Sequence, residues 1–319
     1  MAVTTANVAT RKLLPGGARR TRNWREIRAA YGFISLWIVG FLVFTLGPMI
    51  ASLVLSFTDY NAIDSPEGVG LANYRELVAD PKVAKALGNT LIYSVMYVPA
   101  SMVVALILAM VLNRVGRASG FFRTVFYLPV MTPTVAVGAL FLLLLNGQEG
   151  LLNRTLRLMG ITGPNWTTDT NWVKPGLVIT MLWSLGGTVV IYLAALRQVP
   201  KDLYEAAEMD GANAWTKFRK VTVPMISGAL FFTLIVQTIS ALQMFDQAYT
   251  MFFGAQQNST YSNESALFYV IYLFQQAFRF LHMGYASALA WLLFLIIMII
   301  TAVQVRVSRR FVYYEGEKD

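Results

Sequence analysis

Six stretches of this chain are long and apolar enough to cross a lipid bilayer, and that removes most of the folds open to 319 residues. A bilayer's hydrocarbon core is about 30 Å thick, so a helix rising 1.5 Å per residue needs about 20 apolar residues to span it. The stretches run over about 31–57, 89–112, 124–146, 175–197, 224–245 and 285–306. Composition agrees: 56% of residues are hydrophobic and 13% are charged, where an average soluble domain carries about 25% charged residues. Pro99, Pro129, Pro133 and the Gly186–Gly187 pair interrupt spans, which bundled membrane helices tolerate. The expected fold is all-α, a polytopic membrane protein with about six transmembrane helices.

The placement of Lys and Arg predicts its orientation. The N-terminal tail carries Arg11, Lys12, Arg19, Arg20, Arg22, Arg25 and Arg28, and the 2–3 loop carries Arg114, Arg117 and Arg123. The 4–5 loop adds Arg197, Lys201, Lys217, Arg219 and Lys220, and the C-terminal tail adds Arg306, Arg309, Arg310 and Lys318. Nineteen basic residues thus fall on one side and seven on the other. The positive-inside rule puts both termini and the 4–5 loop in the cytoplasm. The chain then reads as a basic, disordered cytoplasmic tail over 1–30, a six-helix domain over 31–308 with a cytoplasmic loop at 198–224, and a short cytoplasmic tail over 309–319. The tail's charge suits contact with anionic membrane lipid. The net charge of +9 needs no nucleic acid to explain it.

Several chemistries are absent from the residues. With no cysteine there is no disulfide, thiolate ligand or lipidated cysteine. The one histidine, His282, falls near a predicted outer membrane edge and reads as an interfacial packing residue, so no metal site is expected. No G-x-x-x-x-G-K-[ST] loop is present to cradle ATP phosphates. No paired carboxylates lie in an apolar site, so no catalytic residue is assigned and the chain reads as no enzyme. No cleavable export signal is expected, since the first apolar stretch begins about thirty residues in and exceeds a signal core. The outward loops are too short for a domain with its own core. Asn153, Asn165, Asn258 and Asn263 open N-x-Ser/Thr sequons. No internal repeat supports an inverted-repeat secondary transporter.

The 4–5 loop is more specific. Pro200 suits a first helical turn, Leu203, Ala206 and Ala207 share one helix face, and Gly211 sits where a helix end favours positive φ. Trp215, Phe218 and Val221 or Thr222 begin a second apolar face, closed by Pro224. The expectation is a compact elbow with an apolar underside and exposed acids at Glu205, Glu208 and Asp210. Read alone, it is an amphipathic hairpin on a membrane or protein surface. Its letters, Glu205-Ala206-Ala207, Gly211 and Val221-x-Val223-Pro224, resemble the E-A-A-x3-G-x9-I-x-L-P motif of permease subunits of binding-protein-dependent ABC importers. Here valines stand for the isoleucine and leucine. Five fixed letters at that spacing arise by accident on the order of once in a million starts.

The resemblance runs from the first span to the last, and its details point to the sugar-permease branch. These are Leu196-x-x-Val199-Pro200-x-x-Leu203-Tyr204, Asn89-Thr90, Phe121-Phe122-Arg123-x-x-Phe126-x-Leu128-Pro129, Phe245-Asp246-x-x-Tyr249-x-Met251 and Met283-Gly284-Tyr285-Ala286-Ser287-Ala288. The usual T-x-G-G-P run departs to Phe252-Phe253-Gly254-Ala255-Gln256. The resemblance implies the architecture of a type I ABC importer permease in the bacterial plasma (inner) membrane. It also implies a second permease subunit, a dimer of ATPase subunits holding ATP and Mg, and an extracytoplasmic solute-binding protein, with no cofactor in this chain. By the same resemblance Glu205, Ala206, Ala207 and Gly211 contact the ATPase, supported by Asp210 and Pro224. The implied cargo is an oligosaccharide or glycoside. Glycerol-phosphate or another small solute, and a membrane scaffold that transports nothing, are the alternatives.

A sugar pathway needs neutral polar groups along a helix face, whereas a scaffold does not. Span 5 carries Thr233, Gln237 and Ser240 on one stripe with Gln243 nearby, and span 4 carries Ser184, Thr188 and Tyr192. Ser184, Thr188, Tyr192, Gln237, Ser240 and Gln243 are the candidate pathway residues. The competing reading is that these groups only bond neighbouring helices, at roughly 0.6 kcal/mol each. For Thr233 that reading is preferred.

Overall fold

The computed structural model describes residues 24–115, 119–254, 264–309 and 311. The tail at 1–23, Arg117, Ala255 and Gln256, the sequons at Asn258 and Asn263, and most of the C-terminal tail lie outside the described residues. Packing divides the chain into two units, one ending at Ser52 and one beginning at Leu53. The first holds α1 (Trp24–Phe41), a π turn (Leu42–Leu46) and the start of α2 (Gly47–Leu55). The widened turn has a cause in Pro48, whose ring lacks an N–H and collides with the carbonyl four residues back.

The second unit opens on a two-residue hairpin, β1 (Thr58–Asp59) and β2 (Glu67–Gly68), paired antiparallel with Thr58 opposite Gly68. Asn73 on α3 (Ala72–Ala79) pins it, donating to the Ser56 and Thr58 carbonyls at 2.9 Å each. The helix α4 (Pro81–Arg114) follows, 34 residues that continue through Pro99. Next come α5 (Ser119–Tyr127), a 3-10 turn (Leu128–Met131) and α6 (Thr134–Leu144). After α7 (Leu151–Leu158) lie α8 (Val173–Leu182) and α9 (Gly186–Gln198). The elbow is α10 (Lys201–Met209), α11 (Ala214–Lys217), a π turn (Phe218–Thr222) and α12 (Val223–Met225). The chain closes with α13 (Ser227–Leu242), α14 (Asp246–Tyr249), α15 (Tyr269–Phe274) and α16 (Met283–Ser308).

Four helices are long and apolar enough to cross a membrane by themselves: Ile27–Leu55, Pro81–Arg114, Ser227–Phe253 and Met283–Ser308. Two bent pairs bring the number to six if each is one span. The third predicted span, 124–146, is not straight: α5 and its 3-10 turn meet α6 at 95°. Pro129 and Pro133 flank that corner, and the eleven residues of α6 reach only roughly 16 Å. The fourth, 175–197, bends by 55° between α8 and α9, at Trp183–Leu185. Gly186 lets α9 touch the end of α5, for a Cβ there would lie 2.0 Å from the Phe126 carbonyl oxygen.

The hub is α4, packed by α8, α9, α13 and α15. Its buried face includes small residues, Thr90, Ser94, Ser101, Ala105 and Ala109, beside larger ones such as Tyr93 and Tyr97. Lipid offers helices no hydrophobic drive to associate, so close approach over small residues supplies the contact. Toward the elbow, Ala105, Ala109 and Leu112 meet Val189, Leu193, Leu196 and Ile226. Toward the other end, Tyr93, Tyr97 and Val98 meet Phe141, Leu177, Met244 and Phe268. Asn89 and Thr90 hold the turn before α15: Asn89 donates to the Glu264 and Leu267 carbonyls, and the Thr90 hydroxyl accepts from the Tyr269 amide at 2.9 Å. Asn153, one of the sequon residues, is buried and fully engaged, donating to Gly147 and Pro164 and accepting from the Trp166 indole, each at 2.8 Å.

Asp80, just before the α4 span, caps it by accepting from the Lys82 amide at 2.8 Å. Its carboxylate also accepts from the hydroxyls of Tyr272 and Tyr285, tying the start of α4 to α15 and α16. Partial burial pushes the Asp80 carboxyl up, but the bonds from Tyr272, the Lys82 amide and Tyr285 outweigh it and hold the carboxyl below its ordinary value. A carboxyl so depressed stabilises the fold above the unfolded-state value of 3.8 and loses that contribution as pH falls through the lower folded value. Asp80→Asn is therefore expected to destabilise the chain by about 1 kcal/mol at neutral pH, the carboxylate being water-accessible. The difference from the unsubstituted chain should shrink in thermal unfolding of detergent-solubilised protein below about pH 4. A gap independent of pH would remove the carboxylate from this role.

Candidate functional site

The elbow is shaped by its own hydrogen bonds. Residues 207–212 end α10 in a Schellman motif: the Ala212 amide donates to the Ala207 carbonyl and the Gly211 amide to the Glu208 carbonyl, both at 2.9 Å. Gly211 takes φ +77°, in open space, so it is the backbone angle and not crowding that calls for glycine. Asn213 starts α11, its side chain accepting from the Thr216 amide at 2.8 Å. Two bonds then close the elbow across its halves, Tyr204 hydroxyl to Thr222 Oγ1 at 3.0 Å and Lys217 Nζ to Glu208. Pro224 does not close the second face; the chain stays helical through a π turn and α12 into α13, the same relief that Pro48 requires.

Which face of α10 is packed differs from the sequence expectation. Tyr204 and Ala207 are half-buried, with Tyr204 against Leu112, Val199 and their neighbours. Leu203 (41% exposed), Ala206 and Met209 (88% exposed) point outward with Glu205, and Trp215 is 67% exposed. Glu205 has no bonded partner among the described residues, and Asp210 is exposed at the helix end. The elbow thus presents apolar side chains around a free carboxylate, on a base that its own bonds hold still.

The polar residues of spans 4 and 5 divide into three groups. Gln237 donates to Thr188 Oγ1 at 2.9 Å and accepts from the Tyr97 hydroxyl at 3.1 Å, so α4, α9 and α13 share one chain of bonds. Tyr192 is fully buried, its hydroxyl 2.5 Å from Thr233 Oγ1, and Thr233 in turn bonds the Ala229 and Leu230 carbonyls at 3.0 Å. Ser240 and Gln243 are exposed, and half-buried Ser184 donates to the Met181 carbonyl at the bend of span 4. Tyr97 was missed in the sequence, although Thr90, Ser94, Tyr97 and Ser101 form a polar stripe on span 2 as regular as those on spans 4 and 5. His282 is exposed at the start of α16 and its Nδ1 lies 3.0 Å from Gln276 Oε1. Among the described residues no group of His, Cys, Asp or Glu is arranged to hold a metal.

Apolar helices of membrane length, polar bonds between them and a loop with an open apolar face define a multi-pass membrane protein. Residues 101–313 match the family described as binding-protein-dependent transport system inner membrane component, and the chain belongs to that family. It is 36% identical over 310 residues to a probable ABC transporter permease protein, YesP, of Bacillus subtilis (strain 168), covering 95% of this chain and 99% of that one. It is 35% identical to the lactose transport system permease protein LacF of Rhizobium radiobacter, over 90% of this chain and 93% of that one. The arabinooligosaccharides transport system permease protein AraP of Bacillus subtilis (strain 168) is 30% identical over 93% of this chain and 95% of its own. In fold, it is similar to a bacterial ABC transporter involved in import of the acidic polysaccharide alginate, with a TM-score of 0.78 at 22% identity over 91% of this chain and 99% of that one. The chain is accordingly a permease subunit, a transport component and not an enzyme, and the ATPase of such systems is a separate subunit.

Proposed function

We propose that this chain is one of two permease subunits of an ATP-driven importer of oligosaccharides or glycosides. It sits in a bacterial inner membrane with both termini and the elbow in the cytoplasm, a reading that the distribution of Lys and Arg supports. Residues 31–308 form the six-span domain, bounded by the basic tail at 1–30 and a short tail at 309–319. The observation that carries the reading is the elbow: Leu203, Ala206 and Met209 exposed around the unpartnered Glu205, on a helix locked by Tyr204–Thr222 and Glu208–Lys217. An ATPase dimer that holds ATP and Mg docks there, and its closure moves the spans as a lever because the elbow cannot absorb the motion. Glu205, Ala206, half-buried Ala207 and Gly211 make the contact, with Asp210 and Pro224 as supports. A solute-binding protein delivers cargo at the opposite face.

Sugar as cargo is supported by the relatives' named substrates, lactose and arabinooligosaccharides, and by the kind of polar groups inside. The path is lined by Ser184, Thr188, Tyr192, Gln237, Ser240 and Gln243, neutral groups matched to neutral hydroxyls. Ser240 and Gln243 are exposed in this conformation, whereas Tyr192, buried against Thr233, joins the path only when α9 shifts against α13. Reconstitution tests the reading. The chain, its partner permease, the ATPase and the binding protein in proteoliposomes should accumulate a neutral oligosaccharide only with ATP on the elbow side, and the chain alone should hydrolyse none. Uptake that ignores ATP, or hydrolysis by the isolated chain, would contradict it.

A further inference from the structure

Span 5 loses helical form at Gln243–Phe245, where Phe245 takes φ −140° and ψ −68° before α14 resumes. The break lies roughly 25 Å along the span from Ser227. Non-helical backbone at membrane depth persists only inside protein or beside a water-filled space. The side chains distinguish the two here, because Gln243 and Asp246 are both exposed. An exposed amide and carboxylate flanking the break mark a wet surface, since lipid would reject the charge.

Beside them stands a run of rings. Phe245 stacks on Tyr249 with centroids 5.1 Å apart, Phe274 lies 5.1 Å from Phe245 and 5.3 Å from Tyr249, and Phe278 lies 5.1 Å from Phe274. The first three are half-buried, so their outer edges and faces stay accessible, and Phe278 is 63% exposed. Aromatic faces are electron-rich, and the C–H faces of a sugar ring are apolar and weakly positive, so the two stack. The adjoining amide and carboxylate supply donors and acceptors for hydroxyls. The Asp246 carboxylate accepts from the Thr134 hydroxyl at 3.2 Å, and no cation pairs with it among the described residues. A second negative charge brought alongside would be repelled.

We propose that Gln243, Phe245, Asp246, Tyr249, Phe274 and Phe278 form a second sugar subsite at the end of the path away from the elbow, selective for neutral glycans over uronates. A sugar ring stacks on Phe274 and Tyr249 with its hydroxyls on Gln243 and Asp246, and from there passes toward Gln237. This inference rests on the reading of the chain as a sugar permease and adds to it a place and a selectivity. The rings have another conceivable use, as a belt at the membrane surface, and the experiment separates the two.

The assembled importer in nanodiscs, without binding protein, is probed by saturation-transfer-difference NMR with lactose, arabinotriose and maltotriose, and with digalacturonate. At least one neutral sugar should show ring-to-sugar transfer, and digalacturonate should show none. Phe274→Leu and Tyr249→Leu should each cut the neutral signal at least threefold, Phe274→Trp should retain it, and Asp246→Asn should let digalacturonate bind. Comparable yields of assembled complex exclude misfolding, and retention in Phe274→Trp does so independently of yield. No neutral signal in the unsubstituted importer, a signal indifferent to both leucine variants, or equal binding of the uronate would overturn the subsite. ATP-driven uptake in proteoliposomes reads out the underlying sugar reading separately. Uptake with ring-indifferent NMR sinks only the subsite, and ring-dependent NMR without uptake sinks only the transport reading.

Discussion

Glu205→Lys is expected to abolish ATP-driven uptake while the chain still inserts and assembles with its partner permease. Nothing inside the chain depends on this carboxylate, which is exposed and without a bonded partner among the described residues. The change therefore acts on whatever meets the elbow. Truncating one partner of a desolvated interfacial charge pair costs about 2–5 kcal/mol, and reversing its sign adds repulsion. A loss of at least about 30-fold in coupled ATP hydrolysis follows, since each 1.4 kcal/mol is a factor of ten. Gly211→Val should act differently and less. It has open space around it, so its cost is the strain of holding valine at φ +77°, about 1–2 kcal/mol, which loosens the elbow without removing its contact. Uptake at the unsubstituted rate by Glu205→Lys would remove the elbow from the coupling mechanism.

Gly186→Ala should prevent the chain from folding into an assembled subunit, whereas Gly187→Ala should leave it intact. A Cβ on Gly186 would sit 2.0 Å from the Phe126 oxygen, 2.7 Å from its carbonyl carbon and 2.9 Å from Tyr127 Cα. All three are backbone atoms, so no rotamer change relieves the clash and α5 must move from α9. Overpacking of a core costs about 1–3 kcal/mol when side chains can yield, and here they cannot. That is a large share of the 5–15 kcal/mol typical of a folded domain. At Gly187 a Cβ meets nothing within 4 Å, and alanine favours the helix by about 1 kcal/mol. Yield of monodisperse protein after detergent extraction checks both. Equal yields would mean that α5 and α9 do not touch as described.

These two glycines show what the sequence could and could not carry. Six apolar stretches were legible because membrane thickness sets a length, and length is visible in a string of residues. Direction is not: Pro129 and Pro133 were recognisable as interruptions, but nothing in hydropathy gives a corner of 95°. The elbow's turn was legible to one residue, because only glycine takes φ +77° without strain. Its packed face was not. Spacing shows that Leu203, Ala206 and Ala207 lie near one another, yet it is Tyr204, bonded to Thr222, that decides which side turns inward. Thr188 and Gln237 were found as stripes on two spans, while their third partner, Tyr97, sits on a span 140 residues earlier than Gln237. Such a pairing belongs to the fold and not to any local pattern. Asp80 escaped for the same reason, since Tyr272 and Tyr285 reach it from far along the chain.

In the proposed function the ATPase docks on the elbow's open face. Because the chain has no cysteine, Met209→Cys gives a single thiol on that face, at a position 88% exposed and outside the internal packing. In intact cells a membrane-impermeant maleimide should fail to label it. In inside-out vesicles it should label readily when the ATPase has been stripped off and poorly once the ATPase is restored. Labelling from outside intact cells, or labelling in vesicles that the ATPase does not diminish, would contradict docking at this face.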